Sequence, residues 1–143
     1  MYSALLISRY IIKRCNEINK SISNLKLQKL LYFVQAEFLV SKGEPCFFEE
    51  IEAWDFGPVV PVVYRKYKIY GSASIPYTRG VDSGKILNKD KSLINGIVDE
   101  CAKYSAAMLV EVTHAQDPWK KAYKRYQNNK ISNDSIKKYF EED

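Results

Sequence analysis

At 143 residues, with 46% hydrophobic and 27% charged residues, the chain is long enough to bury a core unaided and too apolar to be disordered throughout. Its cysteines, Cys15, Cys46 and Cys101, are odd in number and widely spaced, which argues against a disulfide framework and fits a reducing, cytoplasmic setting. The net charge of +5 is modest, and Arg9 interrupts the most apolar N-terminal run, Ala4 to Ile12, so neither a membrane span nor a cleaved signal segment is expected.

Ala4, Leu5, Ser8, Ile11, Ile12 and Cys15 recur at helical spacing and predict an amphipathic helix from Tyr2 to about Glu17. Ser23 is suited to cap a second helix, whose stripe is Leu27, Leu31, Val34 and Phe38 and which stops near Ser41 at Gly43. Between Pro45 and Phe56 the residues turn strand-prone (Phe47, Phe48, Ile51, Trp54, Phe56), giving a short strand or hairpin arm. Gly57-Pro58 reads as a turn, and Pro61 fits the first turn of a third helix that Gly71 ends. Ser72 to Asp90 reads as a loop, including Gly80 and Gly84, with a short strand near Ile75–Thr78 or Lys85–Leu87. Leu93, Ile94, Ile97, Val98 and Cys101 mark a fourth helix, and Ala106 to Val112 a fifth. Asp117 is placed as N-cap and Pro118 as first residue of a further helix, and Ser132 to Phe140 closes the chain helically, capped by Ser132 or Asn133. The fold class that results is mainly α: a compact helical domain over residues 1–143 with a small β element near residues 45–56.

Reaction chemistry finds little support. The single histidine, His114, and the absence of paired cysteines argue against a zinc site. Glu111, His114 and Asp117 are three apart, yet no elbow motif marks a nucleophile, and a helix-terminal His bonded to backbone carbonyls is the simpler reading. There is no glycine-rich phosphate loop. No cofactor is expected. The acidic run Glu49, Glu50, Glu52, Asp55 reads as a solvated strand edge. The lysine-rich segment from Lys120 to Lys138, interleaved with Tyr123 and Tyr126, reads as a solvated helix face in preference to a nucleic-acid site. Strand alternation sets Trp54 on the side of Glu50 and Glu52, so an indole on a polar face needs cover, from Pro58 or Pro61, or a partner.

Three segments carry a resemblance: Leu25 to Phe33 (LKLQKLLYF), Ile51 to Pro61 (IEAWDFGPVVP) with Val63-Tyr64 and Tyr70-Gly71 after it, and Thr113-His114 followed by Asp117 to Ala122 (DPWKKA). In order and spacing they resemble the Panacea antitoxin domain family, also called SocA-like or GepA phage-associated. The resemblance spans essentially the whole chain. It implies a helical core with a small β element and a role in a toxin–antitoxin system, often phage- or prophage-borne, by binding and neutralising a cognate toxin protein. It also implies an alternative, delivery of the toxin to a AAA+ protease through a second surface such as the tail Lys137 to Asp143; a nucleic-acid-binding regulator is a further alternative. The positions it singles out, Trp54, Gly57, Pro58, Val59, Val60, Pro61, Tyr64, His114, Pro118 and Trp119, are either its partner-binding face or the signature of its fold.

Overall fold

The computed structural model of the chain describes residues 1–79 and 83–141. The expected loop residue Gly80 and the tail residues Glu142 and Asp143 lie outside them. Helix α1 is Ala4–Glu17, capped by the Ser3 hydroxyl, which accepts from the Leu6 amide. Helix α2 is Asn24–Lys42, capped by the Ser23 hydroxyl at one end and by Gly43 at φ 73° at the other. A side chain at that left-handed position would be strained, so glycine is the residue that lets the helix stop there.

Strands β1 (Ile51–Trp54), β2 (Gly57–Val59) and β3 (Lys130–Ile131) form an antiparallel sheet in the order β2-β1-β3. Helix α3 is Pro61–Tyr67 and runs into a 3-10 turn, Lys68–Tyr70. Helices α4 (Asn88–Cys101), α5 (Ala106–His114), α6 (Asp117–Ala122) and α7 (Asn133–Glu141) complete the order. The mainly helical expectation with a small β element holds.

Helix α2 is the axis: α1, α3, α4, α5, α7 and β2 all pack on it. Its apolar stripe Leu27, Leu31, Val34 and Phe38 is buried as expected. So are Asn24, Gln28, Lys29, Tyr32 and Gln35. A helix wrapped by neighbours on most sides has only a narrow solvent face, taken here by Lys26, Glu37, Ser41 and Lys42, so its other polar residues are buried. Cys15, Cys46 and Cys101 are buried free thiols, and burial pushes the Cys15 and Cys101 thiols each up to about 11.

Several local expectations are corrected. Gly57-Pro58 is not the turn; the turn is Asp55-Phe56, and Gly57 and Pro58 already pair with Trp54 and Ala53. Of the acidic run only Glu52 lies in a strand, and that strand, β1, is the middle one and not an edge; Glu49 and Glu50 precede it and Asp55 is in the turn. Lys130, in β3, then meets Glu50 at 2.8 Å. No strand forms at Ile75–Thr78 or Lys85–Leu87: one backbone bond, from the Ile75 amide to the Ile22 carbonyl at 2.8 Å, holds the first segment, and a 3-10 turn, Ser83–Lys85, begins the second. Gln116, not Asp117, occupies the N-cap of α6, so Asp117 sits inside the first turn, where its charge favours the helix N-terminus. Ser132 caps the last helix through its hydroxyl, which accepts from the Ser135 amide.

Candidate functional site

The β1–β2 hairpin is held from below by the polar residues of α2. The Gln28 amide accepts from the Val60 backbone at 2.9 Å and donates to Asn24 at 2.9 Å, and Asn24 donates to the Tyr64 carbonyl at 3.1 Å. Gln35 accepts from the amides of Cys46 and Phe47 at 2.8 and 3.2 Å and returns a bond to the Phe47 carbonyl at 3.0 Å. Tyr32 donates to Gln116 at 2.7 Å. Backbone that is neither helix nor regular sheet leaves its amides and carbonyls without ladder partners, and buried ones must be satisfied. Here the side chains of Asn24, Gln28 and Gln35 supply bonds to backbone, while Tyr32 bonds the Gln116 side chain.

Lys29 is the least expected member. It is fully buried, and its Nζ donates to the Pro58 carbonyl at 3.1 Å. Among the described residues no carboxylate pairs with it. Burial therefore lowers its pKa to about 7, because the charged form would lose its hydration without compensation. The amine lies directly under Gly57. A Cβ there would fall 2.5 Å from Lys29 Cε and 2.9 Å from Thr113 Oγ1, and Gly57 also sits at φ 105°. Glycine is thus required twice, by conformation and by space.

Helices α5 and α6 clamp the tip from the side. His114, the last residue of α5, has its Nε2 at 2.9 Å from the Asp55 carbonyl; a carbonyl only accepts, so that nitrogen carries the proton. The Trp119 indole donates to the Trp54 carbonyl at 2.8 Å, and the Tyr123 hydroxyl donates to the Asp55 carboxylate. The three rings form a continuous stack, His114 on Trp119 at 4.1 Å and Trp119 on Tyr123 at 4.5 Å. The spacing 114, 119, 123 therefore carries structure. Glu111 and Asp117 take no part in it: Asp117 faces Lys121 at 3.7 Å, and among the described residues no Ser or Cys bonds the imidazole.

Trp54 is half-buried on the face that alternation assigns to it. Its indole donates to Glu52 at 2.9 Å, and its cover is the Tyr64 ring at 5.0 Å. Together they line a groove of about 280 Å³ with Leu25, Val59, Phe56 and Tyr126 and the polar Asp55, Gln127 and Asn128. Phe56 is 66% exposed at the hairpin tip and Tyr126 90% exposed, the latter at φ 65°. Of the sequence-predicted contact residues, Gly57, Pro58, Val59, Val60 and Pro118 are buried, whereas Trp54, Pro61, Tyr64, His114 and Trp119 are part-exposed. Sequence reasoning covered Phe56 only as part of the segment Trp54 to Pro61 and Tyr126 only as an aromatic among the C-terminal lysines, and passed over Lys29 and the α2 amides. The amides had a signal, since Asn24 and Gln28 stand four apart, with Gln35 two turns on, beside the apolar stripe of α2. Among the described residues no cluster of His, Cys, Asp and Glu is arranged to hold a metal, and no helix is long and apolar enough to cross a membrane.

A family model described as antitoxin SocA-like, Panacea domain, matches residues 27–120. That span runs from the buried stripe of α2 to α6 and contains the hairpin and the His114–Trp119 part of its clamp. The antitoxin SocA of Caulobacter vibrioides (strain NA1000 / CB15N) is 36% identical over 127 residues, covering 81% of this chain and 68% of that protein. No solved structure matches the chain.

Proposed function

The chain belongs to the antitoxin SocA-like, Panacea domain family, and from that premise we propose that it is a cytoplasmic, non-catalytic antitoxin that binds and neutralises a cognate toxin protein, in a phage or prophage setting. Residues 1–143 act as one domain. The observation that carries the reading is the clamped tip: an exposed Phe56 on a turn whose neighbouring carbonyls and carboxylate are all tied down by α5 and α6. An apolar ring held on rigid backbone loses little entropy on binding, which is what an interface anchor needs. Phe56, Trp54, Tyr64 and Tyr126 would supply the contact surface. Gly57 to Val60, Pro61, His114, Pro118 and Trp119 would shape it from beneath and beside.

The test is binding of the product of the neighbouring reading frame, with growth rescue on co-expression. Phe56→Ala should leave the melting temperature within about 1 °C, because an exposed side chain adds little to stability, and weaken binding by about 30-fold, the scale of a hot spot. Wild-type affinity in that variant would remove the tip from the interface. A toxin that vanishes only in cells holding a AAA+ protease would replace direct neutralisation by delivery.

A further inference from the structure

The positive charge of the chain is unevenly neutralised. In the lysine-rich C-terminal segment, Lys121, Lys130 and Lys137 face carboxylates, Asp117 at 3.7 Å, Glu50 at 2.8 Å and Glu141 at 3.7 Å, while Lys120, Lys124, Arg125 and Lys138 form no ion pair among the described residues. From Phe56 to Arg79 the sequence holds Arg65, Lys66, Lys68 and Arg79 and not one Asp or Glu. Among the described residues, none of these four, and not Arg9 on α1, forms an ion pair. A cluster of like charges without counter-charges destabilises a fold slightly and attracts polyanions.

Two of these cations, Arg9 and Lys66, line a cleft. Arg9 and Ile12 of α1 form one wall, Lys66, Tyr67 and Tyr70 another, and Tyr77 the far side, enclosing about 260 Å³ with no carboxylate in the lining. Tyr67 and Tyr70 are stacked, ring centroids 6.5 Å apart and 29° from parallel, and Tyr70 is 39% exposed. Arg65, Lys68 and Arg79 adjoin lining residues in sequence. Burial pushes the Tyr67 phenol up, while the nearby Arg9 cation opposes that.

We propose that this cleft between α1, α3 and the loop after Gly71 binds single-stranded nucleic acid, with Tyr70 stacking a base and Arg9 and Lys66 on the adjoining phosphates. Cations that track a backbone, combined with accessible rings on which bases stack, are what such binding requires. A folded duplex presents stacked, paired bases and would leave Tyr70 without a partner. An acidic peptide would satisfy the cations but has no use for the ring. This site is separate from the hairpin groove and does not depend on how a toxin is held.

The experiment is fluorescence anisotropy with labelled oligouridylate and oligothymidylate of about 12 nucleotides, within the range one small site covers, titrated at several salt concentrations. Arg9 and Lys66 are exposed, so Arg9→Gln/Lys66→Gln should fold; circular dichroism checks this. The double variant should lose at least about tenfold in affinity at low salt, and its salt slope should fall by about 1.4, the share of two phosphates on a single strand. Tyr70→Ala should lose about tenfold as well. Lys120→Gln/Lys138→Gln, with the same change in net charge, should bind within twofold of wild type. Comparing the two oligonucleotides separates RNA from DNA as the source. Equal losses in both double variants, an unaffected Tyr70→Ala, tighter binding of a duplex, or displacement by a glutamate-rich peptide at the same concentration would each overturn the proposal.

Discussion

The seam between α1 and α4 and the seam between α2 and the hairpin are both buried, and they are closed by different chemistry. In the first, Ile7, Ile11 and Cys15 lie on one helix and Ile94, Val98 and Cys101 on the other, all in the core. Polar contacts there are confined to the rim, Tyr10 to Asn95 at 2.8 Å and Arg14 to Asp99 at 2.6 and 2.9 Å. In the second, amides of α2 and one amine hold specific backbone atoms of segments 46–47 and 58–64. Aliphatic contact is non-directional, so the first seam asks mainly for volume. The second asks for particular atoms in particular places, since a buried donor or acceptor left alone costs more than a lost contact.

That contrast orders the expected effects of substitution. Gln35→Leu keeps the volume roughly and strips partners from Cys46 and Phe47; at 1–3 kcal/mol for each unsatisfied group, about 4 kcal/mol of stability should go in urea unfolding. A loss no larger than that of an aliphatic swap would dissolve the distinction. Gly57→Ala should cost about 3 kcal/mol, combining a side chain at positive φ with a clash against Lys29 and Thr113. Gly57→D-Ala, made by semisynthesis, separates the two causes, because it removes the first and alters the second.

Lys29 gives the polar seam a pH dependence opposite in sign to that of the buried thiols Cys15 and Cys101 in the aliphatic one. With a folded pKa of about 7 against the ordinary 10.5, the unfolded chain holds the extra proton between those values. Stability contributed by this group is therefore lowest, and flat, below about pH 7 and rises towards pH 10, by at most about 1.4 kcal/mol per unit. The raised thiol and phenol groups push the other way at high pH, so the measurement is the difference between wild type and Lys29→Met across that range. A difference without slope would mean that the amine stays charged in the fold. On the other seam, Ile94→Val should cost about 1 kcal/mol, the usual scale for one lost methylene. Arg14→Ala should be the mildest at about 0.5 kcal/mol, because the pair with Asp99 is part-exposed; addition of salt should shrink even that.

The same contrast explains what was readable from the residues alone. Helices announced themselves through aliphatic spacing and caps: Ser23 and Gly43 bound α2 where expected, and Ile94, Val98 and Cys101 form the buried side of α4. Elements built on non-local bonding did not. Strand β3 is only Lys130–Ile131 and owes its existence to pairing with Ile51 and Glu52 across the chain. Gly57-Pro58 has turn composition, yet Gly57 is placed in a strand by what lies beneath it, and that neighbour is a lysine from α2. For the candidate site, the alternation that sets Trp54 beside Glu52 was legible, and so was a histidine bonded to a backbone carbonyl. The cover from Tyr64 in place of Pro58 or Pro61, and the joint stack of His114, Trp119 and Tyr123, were not, because both bring together rings from different elements.

The clamp on the hairpin also has a consequence in time. The bond from Trp119 to the Trp54 carbonyl spans 65 residues of sequence. At the ~5–20 residues per second of synthesis, the hairpin waits about 3–13 s on the ribosome before its clamp has been made. Helix α2, the two strands and the Gln28 and Gln35 bonds are all encoded upstream and can assemble in that interval. The tip itself, with Phe56 on it, acquires its fixed shape only once α5 and α6 have been made. A nascent chain therefore presents an unfinished contact surface until its final quarter has emerged, and a ribosome that stalls before Trp119 yields a chain whose hairpin is seated but not locked.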